Sequence, residues 1–136
     1  MTVVDASVIV TALIRGEHAD WAEEKLSIAS AGRSLWAPHL IDAEVGHSLR
    51  RRAAARKLRD DHASDALSKL AGLPLRRIVH AGLLDRAWEL RHNLSFYDGL
   101  YVALAERLEI PLLTLDLRLA KAARAATAVK VLTAGP

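Results

Sequence analysis

Cysteine is absent from the 136 residues. Its absence excludes disulfide scaffolds, zinc–thiolate sites, iron–sulfur centres and cysteine nucleophiles together. Aromatic side chains make up only 4% of the chain, too few for the base-stacking platforms of RRM-type modules. The 7 glycines are dispersed and form no phosphate-cradling loop. There is no low-complexity stretch, long linker or convincing tandem repeat to divide the chain. Long apolar runs are also missing: the stretch from Val8 to Ile14 stops at Arg15, far short of the ~20 residues that cross a bilayer. The opening Met1-Thr2-Val3-Val4-Asp5 carries no basic targeting region, so the expectation is a cytoplasmic protein with no membrane partner.

What is present suits one folded domain. Hydrophobic residues make up 51% of the chain, too many for a disordered polymer, and the length is right for a single core spanning residues 1–136. Nineteen Lys and Arg against sixteen Asp and Glu leave a modest net charge of +3, so distribution matters more than the sum. Arg50, Arg51, Arg52, Arg56, Lys57 and Arg59 fall in one window without an acid. Such a run reads either as a solvated helix face or as a phosphate-contacting surface.

Hydrophobic periodicity organises the chain as short strands alternating with helices. Thr2–Asp5, Leu35-Trp36-Ala37, Leu75–Val79, Leu112–Asp116 and Val129–Leu132 read as strands. Ser7 opens a helix, and further helices are expected over about 20–30, 40–55, 58–71, 81–93, 96–108 and 117–126. In the stretch 96–108, Leu100, Ala103, Leu104 and Leu108 recur at helical spacing. This alternation predicts an α/β fold in three α/β/α layers, with a central parallel sheet of about five short strands. Ligands of open sheets bind outside the carboxyl ends of the strands, where Asp5 and Asp116 both stand.

Two further acids border apolar sequence. Glu44 lies beside the stripe Ile41, Val45 and Leu49. It must lose hydration there, turn outward, or pair with a cation such as His47 or Arg51. Asp98 follows Ser95 at capping-box spacing. Asp5 and Asp116 equally suit helix N-caps. If the four converge, repulsion decides the outcome, since two carboxylates about 4 Å apart repel by roughly 4 kcal/mol at an effective dielectric of ~20. Such a cluster takes up protons or binds a cation. With oxygen ligands and no cysteine, that cation is Mg²⁺ or Mn²⁺, and either can activate water for attack on a phosphodiester.

These segments, in this order, resemble the PIN-domain ribonucleases, and specifically the VapC toxins of bacterial type II toxin–antitoxin pairs. The resemblance covers essentially the whole chain. Val3-Val4-Asp5-Ala6-Ser7 resembles the family's opening strand with D-x-S, and Ile41-Asp42-Ala43-Glu44-Val45 resembles its second-acid helix. Tyr97-Asp98-Gly99-Leu100-Tyr101-Val102-Ala103 resembles the third-acid segment, and Thr114-Leu115-Asp116-Leu117-Arg118-Leu119 resembles T-x-D-x-R-L. The resemblance implies an acidic pocket of Asp5, Glu44, Asp98 and Asp116. Asp5 and Asp98 would ligate the metal directly, and Glu44 and Asp116 directly or through water. Thr114 and Ser7 would orient water or substrate. Implied with them are endonucleolytic hydrolysis of RNA leaving a 5′-phosphate, a homodimer, and a cognate VapB-like antitoxin. Gly99 departs from the pattern, because alanine commonly follows the third acid. A glycine there loosens a helix start by up to ~1 kcal/mol.

Arg50, Arg51 and Arg52 extend from the helix carrying Glu44, and Arg118 follows Asp116. These four are the expected phosphate contacts, with His39 and His47 read as core-edge or surface residues. A different class of protein would also fit the basic helix: a catalytically silent PIN-like module binding RNA or a protein partner. A phosphate-transferring receiver or an aspartyl phosphatase fits worse, since position 7 is Ser where the phosphatase needs a second acid.

Overall fold

The β-branched run at the N-terminus makes a strand, β1 (Thr2–Val4), that ends where Asp5 turns the chain into α1 (Ala6–Ile14). The computed structural model describes residues 1–31 and 34–135. The same turn recurs late in the chain, where β4 (Leu112–Leu113) gives way at Asp116 to α7 (Leu117–Ala126). Between them come α2 (Ala19–Ala31), β2 (Leu35–Pro38), α3 (Leu40–Ala54), α4 (Asp60–Ala71) and β3 (Leu75–Ile78). A 3-10 turn (Ala81–Leu83), α5 (Leu84–Glu89) and α6 (Phe96–Leu108) complete the middle, and β5 (Val131–Leu132) follows α7.

The sheet is the expected five-stranded parallel one, in the order β3-β2-β1-β4-β5. β1 is central: Val3 pairs with Trp36 on one side and Leu112 on the other, and Val3 and Val4 are wholly buried. Parallel crossovers are right-handed, so reversing the direction of travel moves the helices to the other face. From β1 the chain steps outward to β2 and β3, with α1 packing on α2, α3 and α4. It then returns to β4 and β5, placing α6 against β1, β2 and β4 beneath α5. The reversal falls between β1 and β4. That crevice is where an open parallel sheet binds ligands, and it lies between Asp5 and Asp116.

Four elements differ from expectation. The helical stretch over 81–93 is broken into the 3-10 turn and the short α5, because the chain must turn before Ser95 caps α6. α6 itself is buried all round from Gly99 to Ala105 and shows no one-sided stripe, since it lies between the sheet and α5. The strands β4 and β5 are also shorter than their apolar runs suggest. Among the described residues, no helix is long and apolar enough to cross a membrane.

α3 is anchored at its start. The Leu40 N–H donates to His80 Nε2 at 3.0 Å, and Arg77 makes a two-pronged pair with Asp42, at 2.7 and 3.0 Å. These contacts bind the start of α3 to β3 and the segment after it, one turn before Glu44.

Gly99 has a packing reason that helix propensity does not show. A Cβ there would sit 3.2 Å from both the Cα and the carbonyl oxygen of Ala87, and 3.3 Å from its Cβ. The missing side chain therefore lets α5 lie against the first turn of α6. Gly99→Ala is expected to destabilise the fold by about 1 kcal/mol, overpacking outweighing the gain in helix propensity. Urea denaturation checks this, and a variant more stable than the parent would contradict it.

Candidate active site

Asp5 is built as a helix cap and then buried. Its Oδ1 accepts the N–H groups of Ser7 (3.0 Å) and Val8 (3.4 Å), satisfying donors that α1 leaves free at its N-terminus. The Ser7 hydroxyl donates to the same oxygen and the Thr114 hydroxyl to Oδ2, each at 2.5 Å. Both hydroxyls in turn accept backbone N–H groups from the turn after β4: Leu115 to Ser7 Oγ at 2.9 Å, and Asp116 to Thr114 Oγ1 at 3.0 Å. The two strand ends at the crevice are thus joined by one hydrogen-bonded unit.

Three more carboxylates face the same space. Asp116 caps α7, its Oδ1 accepting from the N–H groups of Arg118 (3.0 Å) and Leu119 (3.1 Å). Asp98 stands in the first turn of α6, where its N–H donates to Ser95 Oγ at 3.0 Å. Glu44, on α3, accepts the Tyr101 hydroxyl at 2.6 Å. Asp5, Glu44, Asp98 and Asp116 all line one cavity of about 500 Å³, together with Ser7, His47, Arg51, Arg52, Tyr101 and Arg118.

Burial and mutual repulsion raise three of these carboxyls. Burial pushes the Asp5 carboxyl up to about 6, against the pull of the Ser7 and Thr114 hydroxyls and the Val8 N–H, with Asp116 adding to the rise. Burial also raises Glu44, opposed by the Tyr101 hydroxyl and helped by Asp98. Asp98 is raised by burial and by Asp116, with Arg118 and Ser95 pulling it down. The Tyr101 phenol is held far above its ordinary range by burial and by Glu44, so it keeps its proton and donates. Arg118 is an exposed cation that pairs with two of the four, its guanidinium 3.6 Å from both Asp98 and Asp116.

An all-oxygen donor set with raised carboxyls suits a hard divalent cation. Among the described residues, no three His, Asp or Glu groups stand close enough to enclose an ion by themselves. Such a cavity fits an ion that takes one or two carboxylates and keeps its waters, as Mg²⁺ does.

The structure thus brings all four expected acids together and sorts the rest. Arg51 and Arg52 reach the cavity wall, but Arg50 does not, correcting the grouping of all three. Seven residues make nearly two helical turns, which returns Arg51 to the face of Glu44 and swings Arg50 away. Thr114 is wholly buried and outside the cavity lining, so it holds Asp5 in place and cannot touch substrate. Ser7 lines the cavity, but its hydroxyl is committed to Asp5 and Leu115. His47 lies on the wall, while His39 is exposed at the start of α3. Glu44 pairs with neither His47 nor Arg51. Its partner Tyr101 is absent from the residues singled out in the sequence, although a phenol three residues after Asp98 in an apolar helix was the available signal.

Comparison with known proteins agrees with this geometry. The PIN domain sequence profile matches residues 2–125. Ribonuclease VapC1 of Mycobacterium tuberculosis is 45% identical over 122 residues, covering 88% of this chain and 89% of that protein. Ribonuclease VapC9 of the same organism is 40% identical over 131 residues, covering 96% and 98%. Among solved structures, VapBC2 from Rickettsia felis, bound to a DNA fragment from its promoter, superposes with a TM-score of 0.70. It is 14% identical and covers 97% of each chain. The sarcin–ricin loop cleaving toxin VapC20 of Mycobacterium tuberculosis gives 0.66 at 20% identity, covering 90% of this chain and 95% of that one. These two likenesses speak for the fold. The chain belongs to the PIN-domain family, within its VapC group.

Asp5 generates a prediction for the metal-free protein. Its folded-state pKa is raised from 3.8 to about 6, so its contribution to stability is full below pH 4 and lost as pH rises through 6. At about 1.4 kcal/mol per pKa unit, keeping Asp5 ionised costs on the order of 3 kcal/mol. Asp5→Asn removes that cost, so its stability relative to the parent is expected to improve as pH goes from 4 to 7. Urea midpoints in chelator across this range measure it; parallel pH profiles would contradict the assignment.

Proposed function

We propose that this protein is a Mg²⁺- or Mn²⁺-dependent endoribonuclease, the toxin of a toxin–antitoxin pair. The observation that carries the reading is the convergence of Asp5, Glu44, Asp98 and Asp116 on one crevice walled by Arg51 and Arg52. The names of the VapC ribonuclease relatives support RNA as the substrate class. Asp5 and Asp98 would hold the cation directly, with Glu44 and Asp116 completing its surroundings directly or through water. When bound, the ion supplies a Lewis acid for phosphoryl oxygens and makes water nucleophilic near neutral pH.

The chain's own groups divide the remaining work. Ser7 and Thr114 hold Asp5 in one orientation, and the N-cap bonds to Asp116 Oδ1 leave its Oδ2 facing the Arg118 guanidinium. Arg51 and Arg52 meet the RNA backbone beside the acids and offset the repulsion between polyanion and carboxylates. Arg118 offsets part of the charge of Asp98 and Asp116 and, being exposed, would be available to a phosphate. Hydrolysis leaves a 5′-phosphate and a 3′-hydroxyl. We place the activity in the cytoplasm, in a homodimer whose site a VapB-like antitoxin blocks; the VapBC2 likeness supports the pairing.

Two outcomes follow. Asp98→Asn is expected to lower RNA cleavage by roughly 100-fold or more with the fold intact, and excess EDTA to abolish cleavage in the parent. Full activity and full toxicity in that variant would instead favour the silent RNA-binding module. Separately, Arg51→Ala is expected to weaken RNA binding and reduce the magnitude of the log K against log salt slope by about 0.7–0.9, whereas Arg50→Ala leaves both unchanged. Equal effects from the two variants would return the basic run to a diffuse surface.

A further inference from the structure

Tyr101 lies within the third-acid segment but is not one of the four acids, and it lines the cavity they form. Its ring is 1% exposed, so the surrounding packing fixes where its hydroxyl ends. Buried polar side chains bond mostly to backbone or water. This one donates to an ionisable side chain of the site, Glu44 Oε1, at 2.6 Å.

We propose that Tyr101 is a positioning residue for the cleavage reaction, clamping one oxygen of Glu44 so that the other is presented to the cavity. The proposal rests on the ribonuclease reading above. Glu44 has a long side chain with three rotatable bonds, and Tyr101 is its hydrogen-bond partner among the described residues. Without a fixed donor its carboxylate would sample several orientations at a half-buried site. The clamp also spans the molecule. Glu44 comes from α3, on the face of the sheet that carries α1 and α4, and Tyr101 from α6 on the opposite face. Tyr101 follows Asp98 by three residues, so both project from one side of α6 toward the crevice. One buried phenol therefore sets the distance between the acid of one helical layer and the acid of the other. A carboxylate can only accept a hydrogen bond, so the phenol is the donor and Phe cannot replace it.

The test is Tyr101→Phe, which keeps the ring and removes only the hydroxyl. Two readouts are needed: steady-state RNA cleavage, and Mn²⁺ affinity by EPR titration without RNA. The expected result is a fall in kcat of about 10-fold with KM within twofold, the pattern of a misplaced group acting in the transition state. Mn²⁺ affinity is expected to fall several-fold in the same variant. Because the effect passes through Glu44, Tyr101→Phe adds little to the loss of Mn²⁺ affinity already caused by Glu44→Gln. Unchanged kcat and Mn²⁺ affinity, or equal losses in the two backgrounds, would overturn the clamp. If the parent itself cleaves no RNA, the ribonuclease reading fails, while the Mn²⁺ cycle still reports whether Tyr101 positions Glu44. Should Tyr101→Phe fold poorly, the Tyr101 hydroxyl proton can be followed by NMR in the parent and in Glu44→Ala. Loss of its exchange protection in Glu44→Ala supports the bond, and an unchanged resonance refutes it.

Discussion

Everything at the crevice depends on how the chain keeps a carboxylate buried at Asp5. The group is 6% exposed and would ordinarily be neutral or displaced. Two N–H groups of α1 and the hydroxyls of Ser7 and Thr114 hold it, and the hydroxyls pass the constraint on by accepting from Leu115 and Asp116. The turn that carries Asp116 is therefore positioned by Asp5. β4 contributes only Leu112 and Leu113 to the sheet, so this polar link substitutes for the longer ladder that would otherwise align β1 and β4. The residual cost is electrostatic and shows in the raised Asp5 carboxyl.

The parallel topology explains why acids from distant segments meet there. Reversal of the winding direction between β1 and β4 opens a crevice at their carboxyl ends, bordered by helices from both layers. α3 brings Glu44 from one side and α6 brings Asp98 from the other. The cations are arranged differently: Arg51 and Arg52 follow Glu44 along α3 and form a wall, while Arg118 stands between Asp98 and Asp116. Of the sixteen acids four line this crevice, and of the nineteen cations three do, leaving twelve acids against sixteen cations elsewhere.

Close packing supplies the rest. α6 is buried on all sides, and its first turn lies so near Ala87 that a Cβ at position 99 would require Ala87 to give by a few tenths of an ångström. Asp98, the preceding residue, is therefore placed by the fit between α5 and α6 as much as by its Ser95 cap. α3 is held at its other end, where His80 accepts from Leu40 and Arg77 grips Asp42. Rigid supports on both sides keep Glu44 and Asp98 at a set separation, and the Tyr101–Glu44 bond closes the remaining gap between the layers.

By itself the sequence determined the alternation of strands and helices, the parallel sheet and the four acids. Each of these follows from local signals: β-branched runs, N-cap residues, and acids beside apolar stripes. Even the separation of Arg51 from Arg50 was available in the 3.6-residue repeat, since only one of them shares the face of Glu44. Only the tertiary structure decided the partner of Glu44, the buried service of Thr114, the close approach of Ala87 to position 99 and the break within residues 81–93. Those features arise from contacts between segments far apart in the chain: Thr114 with Asp5, Tyr101 with Glu44, Gly99 with Ala87. Periodicity reports which way a residue faces on its own element. What it meets there is set by how the elements pack.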